Sequence, residues 1–326
     1  MAEQHDPLLE RRLARNELAV AFARQLIAAL GRERAMPLLA RAVIRMRTAE
    51  ARRLAEQWGD NSLTALGKHF CRLAAEQGIL EVLECTEDRL AVHIHRCPST
   101  EAFRQLGLPE LAPLFCASEP AFIKAFNPRL KHVGRQTIAR GAQYCDHVWV
   151  STAPAEGQPA QPAVHQQDQG GAPLDARLQD RLNRYEMAVA FARQMIEELG
   201  EARAFEILAS AFERVQTLNA QKLAQQLGSN SLEAFAEHQR KMTATMDNVE
   251  VLEVAGDHIS MKITRCFAYE AMRELGLPQL CKIYCASDDA YIKAFNPRMK
   301  LVRTKTIAAG DPYCDHIWAL ETYAGG

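Results

Sequence analysis

Most of the short signatures that identify an enzyme at a glance are missing from this chain. It has no glycine-rich phosphate loop, no Gly-x-Ser-x-Gly elbow and no His-Glu-x-x-His pair, so the common nucleotide-binding and zinc-protease readings fall away. It has no Cys-x-x-Cys pair either, which removes the strongest zinc or redox spacing. No stretch approaches the roughly 20 apolar residues of a membrane span, and the start MAEQHDPLLERR lacks the apolar core of a signal peptide. A soluble cytoplasmic protein with no membrane partner is expected. An excess of one charge is also lacking: the formal net charge is -1, and no basic run is interleaved with aromatics, so nucleic acid is not an expected partner. Arg11, Arg12 and Arg15, and Arg41, Arg45, Arg47, Arg52 and Arg53 beside Glu50 and Glu56, read as solvated helix faces.

What the chain does contain, it contains twice. Lys124–Trp149 reads KAFNPRLKHVGRQTIARGAQYCDHVW and Lys293–Trp318 reads KAFNPRMKLVRTKTIAAGDPYCDHIW, at a constant offset of 169 residues. Phe22 and Phe191, Gly59 and Gly228, Cys97 and Cys266, Cys116 and Cys285, and Cys145 and Cys314 keep that offset without a gap. This is a tandem duplication of one domain, with repeats over 1–150 and 177–326. Residues 151–176, rich in Pro, Gly, Gln and Ala, read as a flexible linker. The two halves are expected to pair as an internal pseudo-dimer.

Within each repeat the hydrophobic period changes once. Leu18, Phe22, Leu26 and Leu30, repeated as Met187, Phe191, Met195 and Leu199, mark an amphipathic helix. A second helix runs from about 33 to 57 (202 to 226). Asn61-Ser62-Leu63 and Asn230-Ser231-Leu232 then offer a polar cap to a third, which carries His69 or His238. Leu90, Val92 and Ile94 alternate with polar neighbours, as do Ile259, Met261 and Ile263, so a half-buried hairpin follows. After Cys97 a short helix ends near Pro109 and a second begins there; Ser118 and Ser287 look like N-caps. Asn127-Pro128 closes the segment, and two strands at about 130–139 and 143–150 complete an α+β domain of helices on a small antiparallel sheet.

Nine cysteines, six of them matched across the repeats, suit a reduced compartment with thiol or metal roles rather than a disulfide framework. The last strand places Cys145, His147 and Trp149 on one face and Asp146 on the other; Cys314, His316, Trp318 and Asp315 repeat this. A thiol and an imidazole so spaced suit nucleophile and base, or a shared metal ion, or a plain buried core. Cys116 and Cys285 precede the expected serine caps, where a helix start favours thiolate, and so are the leading nucleophile candidates. Cys266, Cys285, Cys314 and His316 would satisfy a zinc ion. No cofactor is otherwise indicated.

The strings CPSTEAFRQLGLPEL, FCASEP, FNPRLK and TIARGAQYCDH, with counterparts CFAYEAMRELGLPQL, YCASDD, FNPRMK and RTKTIAAGDPYCDH, resemble the L-2-amino-thiazoline-4-carboxylate hydrolase family over nearly all of each half. The resemblance implies a helical layer on a small sheet, and hydrolytic opening of a cyclic amidine ring at the carbon between nitrogen and sulfur. It implies a nucleophile, an acid and a cation for the substrate carboxylate. Cys285, Cys314, Asp315 and His316, with Cys116, Cys145, Asp146 and His147 in the first half, supply the catalytic types. Arg298 and Arg303 suit the carboxylate, with Asn296, His238, Glu270 and Asp288 as further substrate contacts. His147 and His316 stand where the family more often has an aromatic residue. The competing reading is a non-catalytic small-molecule or metal-binding module. Because Asp288, Arg303 and Asp311 become Glu119, Gly134 and Ala142 in the first repeat, the second is expected to carry most of the activity.

Overall fold

A computed structural model of the chain describes residues 6–152 and 175–323; the expected linker falls, from 153 to 174, outside the described residues. The chain divides into two compact units. One takes residues up to Val20 and from Arg32 onward in the first repeat, and the other takes Ala21–Gly31 together with the second repeat.

The first repeat runs α1 (Pro7–Leu30), α2 (Arg32–Trp58), α3 (Leu63–Gln77), β1 (Leu80–Cys85), β2 (Arg89–Ile94), α4 (Pro98–Gln105), α5 (Ala112–Phe126), β3 (Leu130–His132) and β4 (Cys145–Ser151). The second runs α6 (Ala176–Leu199), α7 (Glu201–Leu227), α8 (Leu232–Thr243), β5 (Val249–Val254), β6 (His258–Ile263), α9 (Phe267–Glu274), α10 (Leu280–Ala286), α11 (Asp288–Phe295), β7 (Met299–Val302) and β8 (Cys314–Leu320). Each repeat is α+β, with a four-stranded antiparallel sheet ordered β1-β2-β4-β3 or β5-β6-β8-β7.

The third helix begins where its serine directs it. Ser62 Oγ accepts from Ala65 N at 3.1 Å and Ser231 Oγ from Ala234 N at 3.2 Å, satisfying one otherwise orphaned donor each. That helix packs one face on the sheet. In the first repeat Leu63, Leu66, Leu90, Val92, Phe126 and Trp149 close the core; Leu232, Phe235, Ile259, Met261, Phe295 and Trp318 do so in the second. The Asn-Pro turns are latches: Asn127 Nδ2 donates to Asn61 O at 2.9 Å, and Asn296 Nδ2 to Asn230 O at 2.8 Å. They tie the end of the central helix to the start of α3 or α8.

Two expected features differ. Ser118 is not a cap, because α5 passes through it without a break; Ser287 does stand at the N-cap of α11, but its side chain caps no N–H there. Ser118 Oγ instead donates back to Phe115 O at 2.7 Å, and Ser287, which sits in the interruption between α10 and α11, donates to Tyr284 O at 2.6 Å. The third strand is also short, three residues rather than ten. Beyond it the backbone turns to meet a side chain: Arg135 N and Gln136 N donate to Asp146 Oδ1 at 2.8 and 2.6 Å. Thr304 N and Lys305 N repeat this on Asp315 Oδ1 at 2.9 and 2.6 Å. A chain bonded to a carboxylate cannot also extend the ladder.

Candidate functional site

The crossing of the central helix, the loop after the third strand and the last strand gathers the polar groups of each repeat. In the second, Arg303 lies at the centre. Its Nη1 donates to Asp288 Oδ2 at 2.7 Å, its Nη2 donates to Cys285 O at 2.8 Å, and Nη1 lies 3.3 Å from His316 Nε2. A guanidinium has no acceptor, so the imidazole accepts there and carries its proton on Nδ1. Gln216 Nε2 donates to the other Asp288 oxygen at 3.3 Å. The Arg303 and Asp288 side chains are only 14% and 16% exposed.

Burial sets the protonation of this cluster. Withdrawal from water pushes the Asp288 carboxyl up to about 6, outweighing the opposing pull of Arg303 and Gln216. The guanidinium at 2.7 Å does not hold the carboxyl down, because it is shared with the Cys285 carbonyl and the His316 imidazole. Burial first, and Arg303 second, bring His316 down to about 4, so it is neutral at ordinary pH.

The first repeat builds a related cluster from the other side. Gly134 stands where Arg303 does, and a Cβ there would meet Asp146 O at 2.1 Å, so no longer side chain fits that backbone. The guanidinium comes instead from α2: Arg47 Nη2 donates to Glu119 Oε1 at 3.0 Å, while Nη1 bonds Glu50. Its Cζ lies 4.1 Å from the Phe122 ring centroid. The position matching Arg47 in the second repeat is Gln216. His147 Nδ1 pairs with His132 Nε2 at 3.1 Å, and burial pushes both imidazoles down. Arg47 is therefore not on a solvated face, and the first repeat does not lack an arginine on its acid but takes it from a different position. Arg12 too is drawn in: burial lowers its guanidinium, which faces Glu50 and Cys97.

The thiols divide by environment. Cys145 Sγ accepts from Ile138 N and Cys314 Sγ from Ile307 N, each at 3.2 Å, and burial pushes both up to about 11. They are neutral thiols at ordinary pH. Cys116 lies inside α5 rather than at a helix start, and burial pushes it up also; Cys285 lies inside α10. The cysteines that do stand at helix starts are Cys97, the N-cap of α4, whose side chain makes no capping bond, and Cys266, the N-cap of α9, whose Sγ accepts from Tyr269 N at 3.4 Å. The neighbours of Cys266 are Cys281 and Arg181, and Cys281 reaches on to Cys285. Arg181 also interacts with Tyr185 and Tyr284.

Other expected site residues are placed elsewhere. Asp146 and Asp315 hold loop backbone. Glu270 receives Arg265 Nε and Nη2, both at 2.7 Å, while Arg265 Nη1 reaches Asp175, the N-cap of α6, at 2.8 Å. Asn296 is the latch, Arg298 is an exposed turn residue whose N–H donates to Asn296 Oδ1, and His238 stays on α8. Among the described residues, no three His, Cys, Asp or Glu side chains are grouped to hold a metal ion. A depression of about 380 Å³ lined by Ser62, Asp88, Asn127, Arg129 and Thr152 holds none of the thiols or imidazoles.

Residue types for acid, base and nucleophile, half-buried beside guanidinium groups, are the equipment of a small-molecule hydrolase. The chain belongs to the family described as L-2-amino-thiazoline-4-carboxylic acid hydrolase, whose profile matches residues 11–149 and again 180–318. No curated protein and no solved structure is significantly similar to it. Among the described residues no helix is long and apolar enough to cross a membrane.

Proposed function

We propose that the protein opens a small cyclic amidine ring of the 2-amino-thiazoline-4-carboxylate type, by hydrolysis at the ring carbon bonded to both nitrogen and sulfur. The observation that carries this reading is the Asp288–Arg303–His316 cluster. A carboxyl brought up to about 6 is present in both protonation states near neutral pH, so it can deliver a proton to the departing ring atom and take one back from water. His316, held neutral, offers its Nδ1–H as a donor, and Arg303 keeps both groups in place. Arg181, with the phenols of Tyr185 and Tyr284 beside it, suits the substrate carboxylate.

Ring opening followed by loss of ring absorbance tests this directly. Wild-type protein is expected to turn over 2-amino-thiazoline-4-carboxylate, and Asp288→Asn to lose about 10²-fold or more in kcat. Calorimetric binding of the compound without turnover by wild type would replace the enzyme with a binding module.

A further inference from the structure

Trp149 and Trp318 are almost wholly buried, 2% and 6% exposed, and the indole N–H of each has no hydrogen-bond partner among the described residues. A buried tryptophan ordinarily finds an acceptor for that N–H, and leaving the bond unmade is costly. Phenylalanine would fill an apolar core without the cost, yet the same orphan stands at matched positions of both repeats. Both rings border the polar clusters. Trp149 stacks on His147 with centroids 5.3 Å apart and 15° between the planes, and lies 5.6 Å from His132. Trp318 meets His316 edge-on at 5.5 Å and lies 6.4 Å from Tyr291, which follows Asp288 on α11. His316 in turn faces Arg303 at 3.3 Å. In the first repeat Arg47 Nε, beside Glu119, is a second buried donor without a partner among the described residues.

The last strand gives the second site a direction. At one end of β8 Ile263 pairs with Cys314 and the chain turns into Cys266, beside which Arg181 lies; at the other Ile259 pairs with Trp318. His316 stands between them on the same face. A compound with its carboxylate at Arg181 therefore points its ring carbon along the strand, towards His316 and Trp318. We infer that the Trp318 indole N–H is the donor for the oxygen that water brings to the ring carbon, and that Trp149 offers the same donor to a ligand carbonyl in the first repeat. The inference rests on the ring-opening reading above. The oxygen of water bonds the ring carbon, and the bond from that carbon to sulfur breaks with its electron pair going to sulfur. One proton of water ends on the sulfur and the other on the ring nitrogen, so the product is a carbamoyl-cysteine whose new carbonyl carries the oxygen. The substrate has no oxygen at that carbon. The N–H gains its partner only as the oxygen arrives, and so favours the transition state and product over the substrate. An uncharged donor suits the place, because Phe235, Ile259 and Phe295 around the ring would not solvate a charge.

Two measurements on the full chain decide it. The chain has three tryptophans, so 15N-labelled protein gives three indole N–H signals, assigned with Trp58→Phe, Trp149→Phe and Trp318→Phe. Saturating carbamoyl-cysteine should move the Trp318 and Trp149 signals of wild type downfield and leave in place that of Trp58, which stands against His69 and Phe126. With 2-amino-thiazoline-4-carboxylate, Trp318→Phe should lose about 10²-fold in kcat with KM changed less than about twofold. A Trp318 signal unmoved by bound carbamoyl-cysteine, or a Trp318→Phe protein with wild-type kcat, overturns the donor and leaves the hydrolase standing. If the Trp149 signal alone stays in place, the first repeat does not share the role. Movement of the Trp318 signal without ring opening by wild type supports the donor and sinks the hydrolase; no binding of either compound and no turnover sinks both.

Discussion

Asp288 and His316 titrate in opposite senses across one window of pH, and both shifts act on stability. The Asp288 carboxyl, raised in the folded state to about 6, binds a proton before the unfolded chain does, so acidification from about pH 6 towards 4 stabilises the fold through this group. His316, lowered to about 4, resists its proton, so acidification from about 6.5 towards 4 destabilises through it. Each effect is roughly 3 kcal/mol by linkage, and in wild type they nearly cancel. Thermal melts from pH 7 to 4 are expected to separate them: Asp288→Asn should lose stability on acidification more steeply than wild type, and His316→Gln less steeply. Parallel profiles for all three proteins would contradict the burial of this pair. None of this was visible in a sequence that shows only an Asp and a His in matched strings, since the shifts come from desolvation. Arg47 was misplaced for a related reason. A basic residue in a charged helix reads as solvated until the acid from a distant helix, Glu119, is brought against it.

At the scale of elements, most of the fold was legible because its signals are local. The hydrophobic stripes, the Ser62 and Ser231 caps and the alternation in β2 and β6 act within a few residues of themselves. The error at Ser118 has an equally definite cause. A serine before an acidic residue also suits a mid-helix position if its hydroxyl bonds the carbonyl three residues back, as that of Ser118 does. The central helix departs from regularity at this point in both repeats. Pro120 has no N–H to give the Cys116 carbonyl, and in the second repeat Arg303 takes the Cys285 carbonyl. Asp289, the exposed counterpart of Pro120, should therefore tolerate proline. Asp289→Pro is expected to cost under about 1 kcal/mol in denaturant melts, against about 3 for an interior helical position. Ser231→Ala, which removes a working cap, should cost about 1 kcal/mol.

For the whole molecule, the boundary of the duplication is not the boundary of packing. Residues 21–31 come from the first repeat by sequence, yet belong to the second compact unit, where Phe22 meets Phe212 edge-on with centroids 5.1 Å apart. The reason is invisible in any repeat pattern, because the stripe that carries Phe22 looks the same whichever core it enters. A protease cut between 153 and 174 should leave the two fragments eluting together on a sizing column, because the second unit draws on both. Residues 175–326 expressed alone should melt lower than the intact chain, since Phe212, about 1% exposed in place, loses its cover.

Each repeat holds its acid with one guanidinium, but brings it from a different element: Arg303 from the loop after β7, Arg47 from α2. Gln216→Arg should fold in the presence of Arg303 and should rescue Arg303→Gly. In the first repeat the reverse exchange has no room, because the Asp146 carbonyl lies where a Cβ at Gly134 would be. The same substitution at matched positions therefore meets different surroundings in the two copies.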